Sequence, residues 1–168
     1  VPALAQDDAG EPPGERLEVV GVDYAFEGLP ASVPAGTTLA FTNQGTEFHE
    51  MIVVRITDEV TPLEELASMP DEESAALSEF VGYISTLPGT TADGSVTLAT
   101  PGRYVATCVI HQGSDPAAFE ALGFDPTQPD ENMDPLELPA EVQALLAEID
   151  ANPTHQDLGM IQEITVTG

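Results

Sequence analysis

The chain has 168 residues, enough for one domain to bury a core without disulfides, and its 30 acidic residues against three basic ones leave a formal charge of −27. The basic residues are all arginine, Arg16, Arg55 and Arg103, so the basic footprint that holds phosphate backbones or anionic lipid is missing and nucleic-acid binding is excluded. No run of about 18 or more apolar residues is present to cross a bilayer as a transmembrane helix. The acid is spread along the whole chain, which reads first as a solvated coat and only second as steering toward a basic partner.

Residues 1–16 read as a leader. Val1-Pro2-Ala3-Leu4-Ala5 carries the small residues of a signal-peptidase site, with the mature chain starting after Ala5 and an extracytoplasmic location following from it. Gln6–Glu15 is acidic and rich in Pro and Gly, too polar to order itself. Residues 17–168 read as the domain. Leu17–Phe26 roughly alternates apolar β-formers and predicts a strand, followed by a turn at Pro34-Ala35-Gly36. Thr37–Asn43 and Phe48–Ile56 predict two more strands, adjacent in space, joined at Gln44-Gly45-Thr46 where glycine permits a tight reversal.

Residues 57–88 change period. Leu63, Leu66, Ala67 and then Ala76, Leu77, Phe80, Val81, Ile84 fit helical spacing, with Pro62 at the first helical position, so one or two short helices are predicted as an insertion. Strands return at Gly94–Ala99 and Arg103–Ile110, separated by Thr100-Pro101-Gly102. Residues 112–154 form an acidic, Pro-rich inserted loop with one helix from about Pro139 to Ile149, and Met160–Val166 predicts the last strand. Short strands with Pro and Gly turns, without regular strand and helix alternation, predict an all-β antiparallel sandwich with short helical insertions.

Three histidines, His49, His111 and His155, all fall at strand edges or strand-terminal loops, and the only cysteine, Cys108, falls near the end of a buried strand. One cysteine cannot form an internal disulfide, and a leftover thiol in an exported chain calls for a reason, which metal ligation supplies. Two imidazoles and a thiolate with a distant thioether select copper, because soft sulfur favours Cu(I) while imidazole accepts Cu(II).

These segments resemble the plastocyanin and azurin family of type 1 blue copper proteins, the cupredoxins. Asn43-Gln44-Gly45-Thr46-Glu47-Phe48-His49 is similar to the turn and strand that deliver the family's first histidine. Pro101-Gly102-Arg103-Tyr104 through Cys108 is similar to its PG-x-Y-x-x-x-C strand, and His155 through Met160, before the last strand, to its H-x-x-x-G-M loop. The resemblance implies a cupredoxin-like Greek-key β-sandwich holding one Cu(I)/Cu(II) ion through His49, Cys108, His155 and Met160. It implies a monomeric electron carrier, not an enzyme, that meets a redox protein partner through an exposed histidine edge. It does not cover residues 57–88 or 112–154.

Two departures from the family stand out. The second histidine normally follows the cysteine closely, whereas 46 residues separate Cys108 from His155; loop closure cost grows slowly enough with length to tolerate this. His111 is the competing ligand, in Cys108-Val109-Ile110-His111, but lacks a methionine at the family's distance. The residue after the first histidine, often asparagine, is Glu50, whose charge near the thiolate would favour Cu(II) and whose carboxylate could still accept N–H bonds from the cysteine loop. The alternatives are a copper delivery or storage module, a metal-free interaction domain with Cys108 and Met160 in its core, and a hydrolase with Cys108 as nucleophile and His111 as base. Met51, Met69 and Met133 read as packing or surface residues.

Overall fold

The computed structural model describes residues 14–123 and 138–168. Most of the leader, with its cleavage-site reading, and Met133 lie outside these. Two β-sheets face each other across one core. The first has four strands in the order β2-β1-β4-β7, from Ala25–Glu27, Arg16–Val22, Thr37–Asn43 and Val96–Leu98. The second has five in the order β3-β9-β8-β5-β6, from Ser32–Pro34, Ile161–Thr167, Gly102–Thr107, His49–Ile56 and Ser78–Thr86. The sandwich is as expected, but its sheets are mixed: β1 runs parallel to β4 and β3 parallel to β9, because crossovers between the two sheets bring strands in from the same end.

The core is built by the period of two. In β4, Leu39 and Phe41 point between the sheets, as do Met51 and Val53 in β5, Tyr104 and Ala106 in β8, and Ile164 and Val166 in β9, all buried. Burying one such side chain is worth about 1.5–3 kcal/mol, so this alternation fixes the register of every central strand. In the PG-x-Y segment, Tyr104 is buried with its hydroxyl donating to the Thr100 carbonyl at 2.7 Å, which ties the turn to β8, the strand that ends at Thr107 just before Cys108.

Five expectations need correction. Leu17–Phe26 is not one strand but a hairpin, β1 and β2, turning at Asp23 and Tyr24, and Tyr24 adopts a left-handed φ of 70°. The run around Gln44-Gly45-Thr46 is not a hairpin reversal, since β4 and β5 belong to different sheets and the segment crosses between them. In residues 57–88 only Leu63–Ser68 (α1) and Asp71–Ala76 (α2) are helical. Ser78–Thr86 forms edge strand β6, paired antiparallel with β5, because a long partner strand was available to satisfy its backbone. Pro62 precedes α1 at its cap, not within it. Finally, Ser32–Pro34 is a short strand, not only a turn.

The helices have a clear packing role. Leu66 of α1 is buried with Ile56 and Val105, and Leu63, Met69 and Leu77 pack around them, covering the outer face of the five-stranded sheet. In the described parts of residues 112–154, Pro116–Ala121 (α3) and Ala140–Asp150 (α4) are helical; α4 matches the predicted helix, and α3 is additional. Asp115 caps α3, its Oδ1 accepting from the Ala117 N–H at 2.9 Å.

Candidate metal centre

The long stretch between Cys108 and His155 is pinched shut at its base. The His155 N–H donates to the Ile110 carbonyl at 2.7 Å, the Gln112 N–H to the Pro153 carbonyl at 2.9 Å, and His111 bridges to Thr154. Within this neck the Gln156 N–H donates to the Cys108 carbonyl at 2.8 Å. These contacts close the stretch at its base, so its length does not strain the site.

The loop between β4 and β5 is ordered by Asn43, fully buried, whose Nδ2 donates to the carbonyls of Glu47 and Thr86 and whose Oδ1 accepts the Gly45 N–H. This holds His49 at the start of β5. Met160 is tied by its backbone to both other segments: its N–H donates to the His155 carbonyl at 2.8 Å and its carbonyl accepts from the Cys108 N–H at 3.1 Å. All four of His49, Cys108, His155 and Met160 are 0% exposed.

His49, Cys108 and His155 present one donor atom each within 4.8 Å of one another. Nδ1 of His49 lies 3.0 Å from Nδ1 of His155, which lies 3.4 Å from Sγ of Cys108. The outward nitrogens face carboxylates: Nε2 of His49 is 3.1 Å from Oδ1 of Asp23, and Nε2 of His155 is 2.9 Å from Oε2 of Glu47. A neutral imidazole has one N–H and an ionised carboxylate can only accept, so the protons belong on the two Nε2 atoms. Two Nδ1 lone pairs then face each other. A thiol proton can satisfy only one of them, and a cation at their centre satisfies both.

Burial lowers the pKa of both histidines, disfavouring a shared proton as that cation, and pushes the Cys108 thiol up to about 12. A bound metal ion resolves all three, since it holds neutral imidazoles and deprotonates a coordinating thiol. Backbone N–H groups also point at the sulfur: Glu50 donates at 3.5 Å, and Ile110 donates as well. Two imidazoles and a thiol, with a methionine whose backbone bonds both of their segments, are the donor set of a type 1 copper site.

The competing residue His111 is not part of this group. Its Nδ1 bonds the Asn152 carbonyl at 2.7 Å, and the residue lies beside a crevice of about 200 Å³ lined also by Phe48, Phe119 and Ile149. His111 bonds Asn152 and not Cys108, and burial raises the thiol pKa, the opposite of what an activated nucleophile needs.

Glu50 is buried, and its Oε1 accepts from the Val109 N–H at 3.2 Å, the bond to the cysteine loop expected of it; Tyr83 bonds its side chain as well. Burial raises its pKa. The exposed histidine edge is not found: Tyr24 covers His155, the rings 5.0 Å apart between centroids, and Glu47 lies over Nε2. Asp23, Tyr24 and Glu47, which also stand at the centre, carry little local signal in the sequence. The signal available was Asp23-Tyr24 as a turn dipeptide and Glu47 two residues before His49, neither of which reveals a side-chain partner more than 20 residues away.

No family model matches the chain and no curated protein matches it. Among solved structures it is similar to dithionite-reduced auracyanin from the photosynthetic bacterium Roseiflexus castenholzii, at 17% identity over 91% of this chain and 97% of that one, with a TM-score of 0.46. It is similar to auracyanin B at 19% identity over 94% and 92% of the two chains, TM-score 0.45, and to reduced rusticyanin at 17% over 90% and 76%, TM-score 0.42. At these identities and scores the reading of the centre rests on its own geometry: two imidazoles and one thiol, converging inside a two-sheet β-sandwich with a methionine tied to both.

Proposed function

We propose that the chain is a cupredoxin that binds one type 1 copper ion and carries single electrons between redox partners outside the cytoplasm. His49 and His155 would bind through Nδ1, Cys108 as thiolate, and Met160 as a weak thioether donor. The observation that carries this reading is the convergence of two Nδ1 atoms and one sulfur on a common centre.

When bound, copper supplies a one-electron couple between Cu(II) and Cu(I). The protein's part is to hold the donors still: the neck between Ile110 and His155, the Asn43 loop and the Glu50 bond to Val109 each fix one ligand segment, so little rearrangement accompanies the change of charge. Full burial of the donors leaves no route for a substrate, which supports a carrier over an enzyme. A partner would touch the atoms above the centre, Tyr24 over His155 or Val109 beside Cys108, the latter 44% exposed. The acidic surface suits a basic partner.

The test is to load the purified protein with copper and oxidise it. An intense visible thiolate-to-copper band with a reversible one-electron couple is the expected result; absence of the band removes the reading, and tight binding with sluggish redox exchange assigns delivery instead.

A further inference from the structure

Resting on that copper reading, we propose that Asp23 and Glu47 are positioning residues that fix both imidazoles with the proton on Nε2, present Nδ1 of each to the metal, and bias the bound ion toward Cu(II). Each carboxylate is itself built in. Asp23, in the turn of the β1–β2 hairpin, accepts the Thr46 N–H on Oδ1 and the Thr46 hydroxyl on Oδ2, both at 2.8 Å. Its Oδ1 faces Nε2 of His49. Glu47 accepts the Gly113 N–H at 2.8 Å and Nε2–H of His155 on Oε2, while Oε1 accepts the Tyr24 hydroxyl at 3.1 Å. Tyr24 in turn accepts from Nε2 of Gln112 at 2.9 Å.

The surroundings are shaped around the first pair. A Cβ on Gly45 would run into Oδ1 of Asp23 and stand 2.5 Å from Nε2 of His49, so only glycine leaves room for the contact. Around the second pair, the ring of Tyr24 lies on that of His155 while its hydroxyl holds the carboxylate that orients it, so one side chain secures both members.

A carboxylate on the outer nitrogen of a metal-bound imidazole fixes its tautomer and raises its basicity. It also adds negative charge close to the metal, which stabilises the more highly charged ion. With one carboxylate behind each histidine, both effects act twice. In the couple Cu(II) + e⁻ → Cu(I) no bond need break, so the carboxylates act only on the balance between the two ions.

Two measurements test this. In metal-free protein at about pH 8, above the ordinary histidine range, nitrogen-15 NMR of the imidazoles should show Nε2–H on both His49 and His155. Glu47→Gln should then populate Nδ1–H on His155, and Asp23→Asn should do so on His49. In copper-loaded protein each variant should shift the preference toward Cu(I) by about ten-fold, a rise of about 59 mV for one electron. Nδ1–H on either ring of the unmodified metal-free protein overturns the proposal, as does an unchanged potential in both variants. The tautomer reading needs no variant to fold and no copper to bind, so if the visible band is absent the copper assignment falls while the role of the carboxylates is still decided.

Discussion

Nδ1 of His49 stands 3.0 Å from Nδ1 of His155, with only the Cys108 thiol proton to satisfy one of the two lone pairs once each ring gives its proton outward. Removing the metal should therefore leave a repulsive centre inside the fold. Copper binding should raise the thermal midpoint, with a gain of about 4.1 kcal/mol when free metal exceeds the dissociation constant 1,000-fold. Calorimetry with and without a chelator checks this, and equal midpoints would count against a metal site here.

The metal-free protein should be sensitive to mild acid. The His49 and His155 pKa values are depressed by burial in the folded state, whereas unfolded histidine titrates near 6.5. The unfolded chain then binds more protons, so this contribution is fully present above about pH 6.5 and is lost as pH falls through the depressed folded values. Glu50, with its pKa raised, works in the opposite direction. Urea midpoints in 1 M salt, which screens surface repulsion, should fall more steeply below pH 6.5 for the wild type than for His155→Gln. Parallel curves would refute the histidine assignment.

Cys108 should be inert as a nucleophile. With its thiol pushed up to about 12 and the residue 0% exposed, iodoacetamide at pH 8 should leave native metal-free protein unmodified and label it after unfolding. Rapid labelling of the native form would reopen the hydrolase alternative.

Substitutions should sort the histidines and the thiol. Cys108→Ser should abolish the visible band of the copper-loaded protein. His111→Ala should leave it intact, because His111 bonds the Asn152 carbonyl and not the metal group. Loss of the band in His111→Ala would give that residue a ligand's role.

Gly45→Ala should cost about 1–3 kcal/mol, the usual penalty of overpacking, and should perturb the copper spectrum through Asp23 and His49. Gly94→Ala is the control, since a Cβ there meets nothing within 4 Å and should be close to neutral. The two are compared by urea denaturation. Equal stability would mean that the Gly45 loop yields without disturbing the pair.

The sequence by itself located four strands, Thr37–Asn43 to the residue and Phe48–Ile56, Arg103–Ile110 and Met160–Val166 with ends that differ from β5, β8 and β9, because a side-chain period of two between buried faces is a local property. It also supplied the four candidate donor residues, since soft and imidazole side chains next to turn chemistry are rare enough to be read in order along the chain. Only the tertiary structure decided which sheet each strand joined. It made an edge strand of residues 78–86, whose apolar spacing fits a helix, because the unpaired backbone of β5 lay alongside. It also decided what stands behind the donors. Asp23 meets His49 across 26 positions and Glu47 meets His155 across 108, and contacts between residues so far apart depend on how the sheets stack, which no local pattern encodes.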